Sequence, residues 1–130
     1  MGILVDTTVW IDFFRGDKTE GVGKLESAIM ARVDVCCCGI IMMEVLQGIR
    51  GDSEHKTVKK YLDGLLFFQI SHSDYLMASQ IYRKARKSGY TIRKSIDCII
   101  ASVAISNKST LLHNDKDFDS IEKITTLKIA

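Results

Sequence analysis

The chain has 130 residues, of which 46% are hydrophobic and 26% charged, and its formal net charge is +2. This length and composition are typical of one globular domain, which we expect to span residues 1–130. No apolar run approaches the roughly 18–20 residues of a membrane helix, and no secretory signal pattern opens the chain, so we expect a cytoplasmic protein without a membrane partner. Because the net charge is near neutral, composition alone does not identify the chain as a nucleic-acid binder.

Short apolar segments alternate with amphipathic segments along the whole chain, a pattern typical of strands alternating with helices. The expected fold is α/β, with a parallel sheet covered by helices on both faces. Ser53 and Ser73 are the expected N-caps of two helices, and Gly16, Gly51 and Gly89 the expected helix ends. In chain order the predicted elements are strand Ile3–Asp6, helix Thr8–Arg15, helix Thr19–Arg32, strand Val33–Cys38, helix Ile40–Arg50, helix Ser53–Leu66, strand Phe67–Ser71, helix Asp74–Lys87, helix Ser95–Asn107, strand Thr110–His113, helix Asp117–Ile124 and strand Thr126–Ile129.

The chain contains four cysteines, and three of them are contiguous at positions 36–38. Neighbouring side chains of a strand point to opposite faces, so these three thiols are not expected to bind one metal ion. We expect reduced, mostly buried cysteines.

Three acidic residues follow predicted strands. Asp6 ends the first strand, while Asp115 and Asp117 come shortly after the strand Thr110–His113. In α/β folds, ligands bind beyond the carboxyl ends of strands at a topological switch point. Asp6 and Asp117 have an alternative interpretation as helix caps. Asp115 is the preferred candidate of the later pair because it comes first after the strand.

Two further acids lie on predicted helices among apolar residues. Glu44 is the only charged residue between Ile40 and Leu46, and an ionised carboxylate buried there needs a partner. Asp97 lies in the first turn of its helix, where the helix dipole alone would favour an anion. Its neighbours one turn later are Ile100 and Ala101, which indicates an inward-facing side chain.

Together, Asp6, Glu44, Asp97 and Asp115 would form one pocket with about four negative charges, which a cation must stabilise. Oxygen ligands of this kind suit Mg²⁺ or Mn²⁺. Such ions promote displacement at a phosphodiester, so the pattern predicts a metal-dependent nuclease.

A nuclease of this kind also needs basic residues around the acidic pocket, and the chain has a basic segment. Such a segment could contact a phosphate backbone, although a solvated helix face is the alternative. The basic residues are Arg83, Lys84, Arg86, Lys87, Arg93 and Lys94.

Four segments, taken in order, resemble the motifs of PIN-domain nucleases, and most closely those of VapC-type toxins from toxin–antitoxin pairs. The resemblance covers nearly the whole chain; the run of cysteines on the second strand departs from the aliphatic residues expected there. The matching segments are Leu4–Phe13, Glu44, Gly89–Ala101 and Leu111–Phe118.

The resemblance implies a Rossmann-like three-layer fold with about five parallel strands. It implies an Mg²⁺- or Mn²⁺-dependent endoribonuclease that acts on tRNA, rRNA or mRNA, a homodimer, and a VapB-type antitoxin that blocks the site. By motif position it assigns the metal to Asp6, Glu44, Asp97 and Asp115, with Asp117 as a less secure fifth ligand. It also implies that Thr7 orients the first acid or a bound water.

Two alternatives remain open. One is a catalytically inactive PIN-like module that binds RNA or protein, although all four acids are present. The other is a phosphoryl-transfer domain, but Asp6 is followed by Thr7-Thr8-Val9 and not by the second acid that such phosphatases need.

Overall fold

The structure is a computed structural model that describes residues 2–130. Four short parallel strands form its sheet, and seven helices flank them. No helix in the described part is long and apolar enough to cross a membrane. In chain order the elements are β1 (Ile3–Val5), α1 (Thr7–Arg15), α2 (Glu20–Met30), β2 (Val35–Cys38), α3 (Gly39–Gln47), α4 (Asp52–Asp63), β3 (Leu66–Phe68), α5 (His72–Lys87), α6 (Ser95–Ser106), β4 (Thr110–Leu112) and α7 (Lys116–Ile124).

The strand order across the sheet is β3-β2-β1-β4, and every pairing is parallel. The chain moves outward from β1 to β3 and then returns to the other side of β1. Because crossovers between parallel strands are right-handed, α1–α4 cover one face of the sheet and α5 and α6 cover the other. The order therefore reverses between β1 and β4, and a crevice opens beyond the carboxyl ends of these two strands.

The predicted fold class is confirmed, but the sheet has four strands where about five were expected. The segment predicted as a fifth strand makes a single parallel bridge, between Leu111 and Ile129. Two backbone hydrogen bonds accompany it, from Leu111 N–H to the Lys128 carbonyl and from Ala130 N–H to the Leu111 carbonyl. This pairing is too short to form a strand.

The core contains the side chains of the central strands and the inner faces of the helices. Leu4 and Val5 of β1, Cys36–Cys38 of β2 and Val103 of α6 are buried in it. All four cysteines are free and buried, as predicted. The thiols of β2 occupy the positions where aliphatic side chains were expected.

Two predicted helix N-caps are wrong. Gly51, not Ser53, is the N-cap residue of α4. At α5 the cap is Ser71, whose hydroxyl accepts the Asp74 N–H while the Asp74 carboxylate accepts the Ser71 N–H. The predicted cap, Ser73, instead forms a 2.9 Å hydrogen bond to the Ser71 hydroxyl. A reciprocal capping box satisfies two backbone donors, which a lone serine cannot do.

The N-cap of α5 allows a test of where this helix begins. Replacing Ser71 with Ala removes the side-chain acceptor of the Asp74 N–H, so we expect a loss of about 1 kcal/mol in the free energy of unfolding. Ser73→Ala is the matched control and should cost clearly less, because its hydroxyl accepts no backbone N–H. Urea denaturation followed by circular dichroism measures both variants. An equal loss in the two variants would contradict the capping box.

Candidate active site

The crevice beyond β1 and β4 is where the acidic residues gather. Asp6 directly follows β1, is the N-cap residue of α1, and donates its backbone N–H to the Leu112 carbonyl at the end of β4. Asp115 is the N-cap residue of α7, the helix that follows β4. Asp97 lies in the first turn of α6. Three helix N-termini and two strand ends thus point toward one region, where helix dipoles favour anions.

Asp97, Asp115 and Asp117 form the tightest acidic group among the described residues. One carboxylate oxygen from each of them lies within 4.8 Å of the others. The side chains of Asp97 and Asp117 are 2% exposed, and that of Asp115 is 8% exposed. Oxygens at this separation are close enough to share one ion.

Backbone donors hold this acidic group in place. The Asp117 carboxylate accepts the Arg93 N–H at 3.1 Å and the Lys94 N–H at 3.0 Å. The Asp115 carboxylate accepts the Asp117 N–H at 2.9 Å, which caps α7. These bonds tie the start of α7 to the segment before α6, so the two aspartates stay oriented without a metal ion.

Two basic side chains neutralise part of the negative charge. The Lys94 ammonium lies 2.9 Å from Asp115 Oδ2 and 3.8 Å from Asp97 Oδ2. The Arg93 guanidinium lies 3.2 Å from Asp115 Oδ1 and 3.6 Å from Asp117 Oδ1. Both side chains are about half exposed, so they line the mouth of the acidic pocket.

Glu44 occupies the side of the site nearest β1. Its carboxylate accepts a hydrogen bond of 2.8 Å from the Thr7 hydroxyl. Asp6 accepts a longer one, of 3.4 Å, from the Thr8 hydroxyl. The Thr7 hydroxyl therefore orients Glu44 and not Asp6. Glu44 still acts on Asp6 electrostatically, since its negative charge contributes to the raised pKa of Asp6.

Burial changes the protonation of two of these acids. Desolvation raises the pKa of Asp6 to about 6, and the charges of Glu44 and Asp115 add to that effect. Desolvation, together with a side-chain hydrogen bond to Asp117, raises the pKa of Asp97 to about 8. The pKa of Asp115, by contrast, is lowered by the Asp117 N–H and by Lys94 and Arg93. Asp97 is thus largely protonated near neutral pH when no cation balances the site.

The donor set fits a hard divalent cation. It consists of carboxylate oxygens, which Mg²⁺ and Mn²⁺ prefer. Asp97 Oδ2 is buried and has no hydrogen-bond partner among the described residues, which is unusual for a carboxylate oxygen. A cation between Asp97, Asp115 and Asp117 would satisfy this oxygen and favour the ionised carboxylates.

All the acids named from the sequence lie at or beside this crevice, but they are not equally close to one another. The less secure candidate, Asp117, belongs to the closest group, while Asp6 and Glu44 lie beside that group. Sequence reasoning assigned Arg93 and Lys94 to RNA and missed their ion pairs with the acids. The contacts with Asp115 and Asp117 join residues more than twenty positions apart, and spacing along one helix carries no signal for them.

Carboxylates gathered at the switch point of a parallel sheet form a candidate site for a divalent cation. The PIN domain model matches residues 3–124. The chain is 37% identical to ribonuclease VapC11 of Mycobacterium tuberculosis over 98% of its own length and 97% of that protein. The chain therefore belongs to the PIN-domain family.

Solved structures share the fold at lower identity. The crystal structure of VapBC2 from Rickettsia felis, bound to a DNA fragment from their promoter, superposes with a TM-score of 0.79 at 17% identity, covering 100% of this chain and 98% of that one. A toxin–antitoxin complex from Klebsiella pneumoniae gives a TM-score of 0.73 at 22% identity, over 98% of this chain and 100% of that one.

The raised pKa of Asp97 predicts how stability depends on pH in metal-free protein. The pKa is 3.8 for an unperturbed Asp and about 8 here, so between these values the folded chain binds more protons than the unfolded chain. The stability that this protonation adds to the folded state is complete below the lower pKa value, and it is lost as the pH rises through the upper pKa value. In EDTA we expect the free energy of unfolding to fall by about 1 kcal/mol between about pH 7 and about pH 9.

Ionisation of the buried thiols also lowers stability near pH 9, so the quantity to compare is the difference in melting temperature between wild type and Asp97→Asn at each pH. The melting temperature of Asp97→Asn should depend less on pH, because this variant has no carboxyl proton to lose at position 97. Asp119→Asn, a change at a carboxylate that is 64% exposed, should follow wild type. Parallel curves for wild type and Asp97→Asn would show that Asp97 ionises normally.

Proposed function

We propose that the protein is a divalent-metal-dependent endoribonuclease, acting in the cytoplasm as the toxin of a VapBC-type toxin–antitoxin pair. The observation that carries the proposal is the buried group of Asp97, Asp115 and Asp117 at the switch point of the sheet. The whole-chain relationship to ribonucleases of the VapC type supports the choice of RNA as substrate. The proposed unit is one domain over residues 1–130.

Each acid has a distinct place in this proposal. Asp97, Asp115 and Asp117 would hold an Mg²⁺ or Mn²⁺ ion, with Asp6 and Glu44 completing the carboxylate set on the β1 side. Such an ion activates water and stabilises the leaving oxygen of a phosphodiester. The high pKa of Asp97 means that cation binding near neutral pH releases a proton from this carboxyl group.

The basic residues would bring the polyanionic substrate to an acidic site. Arg93 and Lys94 at the mouth balance the acids and are exposed enough to meet a phosphate. Four further cations, exposed along the last turns of α5, extend this positive surface: Arg83, Lys84, Arg86 and Lys87.

We also propose that a VapB-type antitoxin and a second copy of the chain are its protein partners. A groove of about 310 Å³ lies between α1, α3 and α4, with Ile11, Phe14, Val45 and Ile49 in its lining. An amphipathic antitoxin helix could insert its apolar face there. A basic antitoxin side chain reaching the acids would then block the site electrostatically.

Replacing Asp6 with Asn tests the active site, because the change removes a charge and keeps the shape. We expect RNA cleavage in Mg²⁺ or Mn²⁺ to fall by about 100-fold or more, since the electrostatic contribution of a metal site is worth several kcal/mol. The thermal stability of the metal-free protein should not fall, because a repelling carboxylate is removed. Gel electrophoresis of labelled total RNA, with EDTA as a second control, measures the activity.

Asp63→Asn is the matched control for this experiment. Its carboxylate is 49% exposed on α4 and pairs only with Lys59, so cleavage should stay at the wild-type rate. Wild-type cleavage by Asp6→Asn would remove Asp6 from the site. Cleavage that persists in EDTA would remove the metal from the proposal.

The salt dependence of RNA binding tests the basic surface of α5. Removing one cation that binds a phosphate should reduce the slope of log affinity against log salt by about 0.7 to 0.9. Arg83→Ala combined with Lys87→Ala should therefore lower the slope by about 1.5 if both side chains bind phosphates. Lys56→Ala combined with Lys60→Ala removes two exposed cations from α4 and should leave the slope unchanged. If the salt-dependence slopes of the two double variants are equal, the RNA does not follow the basic surface of α5.

A further inference from the structure

A second cleft, of about 540 Å³, lies beside the acidic site. Its volume is in the range of small-molecule binding sites. One wall is the face of α5, and the other is the segment that leads into α6. We refer to it as the tyrosine cleft, and the lining residues that matter are Tyr75, Ser79, Tyr82, Arg83, Ile92 and Arg93.

Its two aromatic rings stand on one face of α5. Tyr75 and Tyr82 are seven residues apart, which is two helical turns, and Ser79 lies between them. Tyr75 is 51% exposed and Tyr82 is 36% exposed. The Arg86 guanidinium lies 5.8 Å from the centre of the Tyr82 ring. Half-exposed tyrosines beside arginines are the groups on which proteins stack unpaired nucleobases.

The tyrosine cleft and the acidic site share one residue, Arg93. Arg93 lines the cleft, and its guanidinium also lies 3.2 Å from Asp115 Oδ1. The same residue lines the opening beside His113, Asn114 and Asp115. A polynucleotide whose phosphate lies at the acids would therefore pass Arg93 and reach the tyrosines with its next bases.

Charge favours an anionic occupant over an apolar peptide. Among the described residues, the cleft lining includes two arginines, Arg83 and Arg93, and no carboxylate. The exposed cations that follow along α5 extend the same sign of charge. An occupant with negative charge and flat apolar faces fits this lining, and single-stranded RNA has both.

We propose that the tyrosine cleft binds unpaired nucleobases of the RNA next to the cleaved bond, stacked on Tyr75 and Tyr82, while Arg93 holds the adjoining phosphate. This inference rests on the proposed ribonuclease function and adds a base-binding subsite to it. The tyrosines act in binding and positioning, and they have no part in the chemical step.

Fluorescence anisotropy with a labelled single-stranded RNA of about twelve nucleotides, in EDTA to prevent cleavage, tests the proposal. We expect Tyr75→Ala and Tyr82→Ala each to weaken binding about fivefold or more, the low end of the range for removing a ring on which a base stacks. Tyr75→Phe and Tyr82→Phe keep the ring and should bind like wild type. A duplex RNA of equal length should bind all these variants equally, because its bases are already stacked.

Leu76→Ala is the matched control on the same helix. Leu76 is 57% exposed but does not line the cleft, so its replacement should not change RNA binding. A second copy of the chain is the competing occupant of this face. Sedimentation of each variant measures its oligomeric state and so tests that alternative. If Tyr75→Ala and Leu76→Ala both dissociate a dimer and weaken RNA binding equally, the face is a dimer interface and the proposal is overturned.

The wild-type protein separates failure of this inference from failure of the proposed function. If it binds and cleaves RNA with Mg²⁺ or Mn²⁺ while the Tyr→Ala variants bind RNA unchanged, the base-stacking role alone is wrong. If it neither binds nor cleaves RNA, the proposed function fails, and the inference fails with it.

Discussion

The burial of several carboxylates, which also repel one another, is the constraint on which the functional end of this molecule depends. Asp6, Asp97 and Asp117 are each 2% exposed, and such charges cannot remain ionised together without compensation. Backbone N–H groups of Arg93 and Lys94 compensate Asp117, and the Lys94 ammonium compensates Asp115. Burial raises the pKa values of Asp6 and Asp97, and neighbouring carboxylates add to the rise. The metal-free fold therefore gives up stability to keep these acids together.

The sheet topology explains why the carboxylates meet at all. β1 and β4 are neighbours in the sheet although they lie at opposite ends of the chain, and their carboxyl ends deliver Asp6 and the segment before Asp115 to one edge. The reversal of strand order leaves a crevice there, which the N-termini of α1, α6 and α7 enter. The inner faces of these elements pack through ordinary apolar contacts. Their shared role is to fix acidic side chains at this edge.

Much of this arrangement could be predicted from local sequence. Asp6 was expected at the carboxyl end of an apolar strand, and Asp97, with apolar neighbours one turn later, was expected to face inward. Both side chains are buried. The place of Asp117 in the closest group could not be predicted, because it depends on backbone donors of Arg93 and Lys94, which lie far away in sequence. Helix starts were least certain for a related reason: several serines stand near the beginning of α5, and only tertiary geometry selects Ser71.

The balance of charges shows why whole-chain charge was a poor guide to function. The chain has 18 basic and 16 acidic residues, yet opposite charges are not spread evenly. Arg93 and Lys94 are engaged by the buried acids, whereas the cations at the end of α5 face solvent. At physiological salt, charges act over only about 8 Å, so a substrate senses these local patches and not the sum. An acidic pocket rimmed by cations would hold a cation inside and attract a polyanion outside, as the proposed metal-dependent nuclease requires.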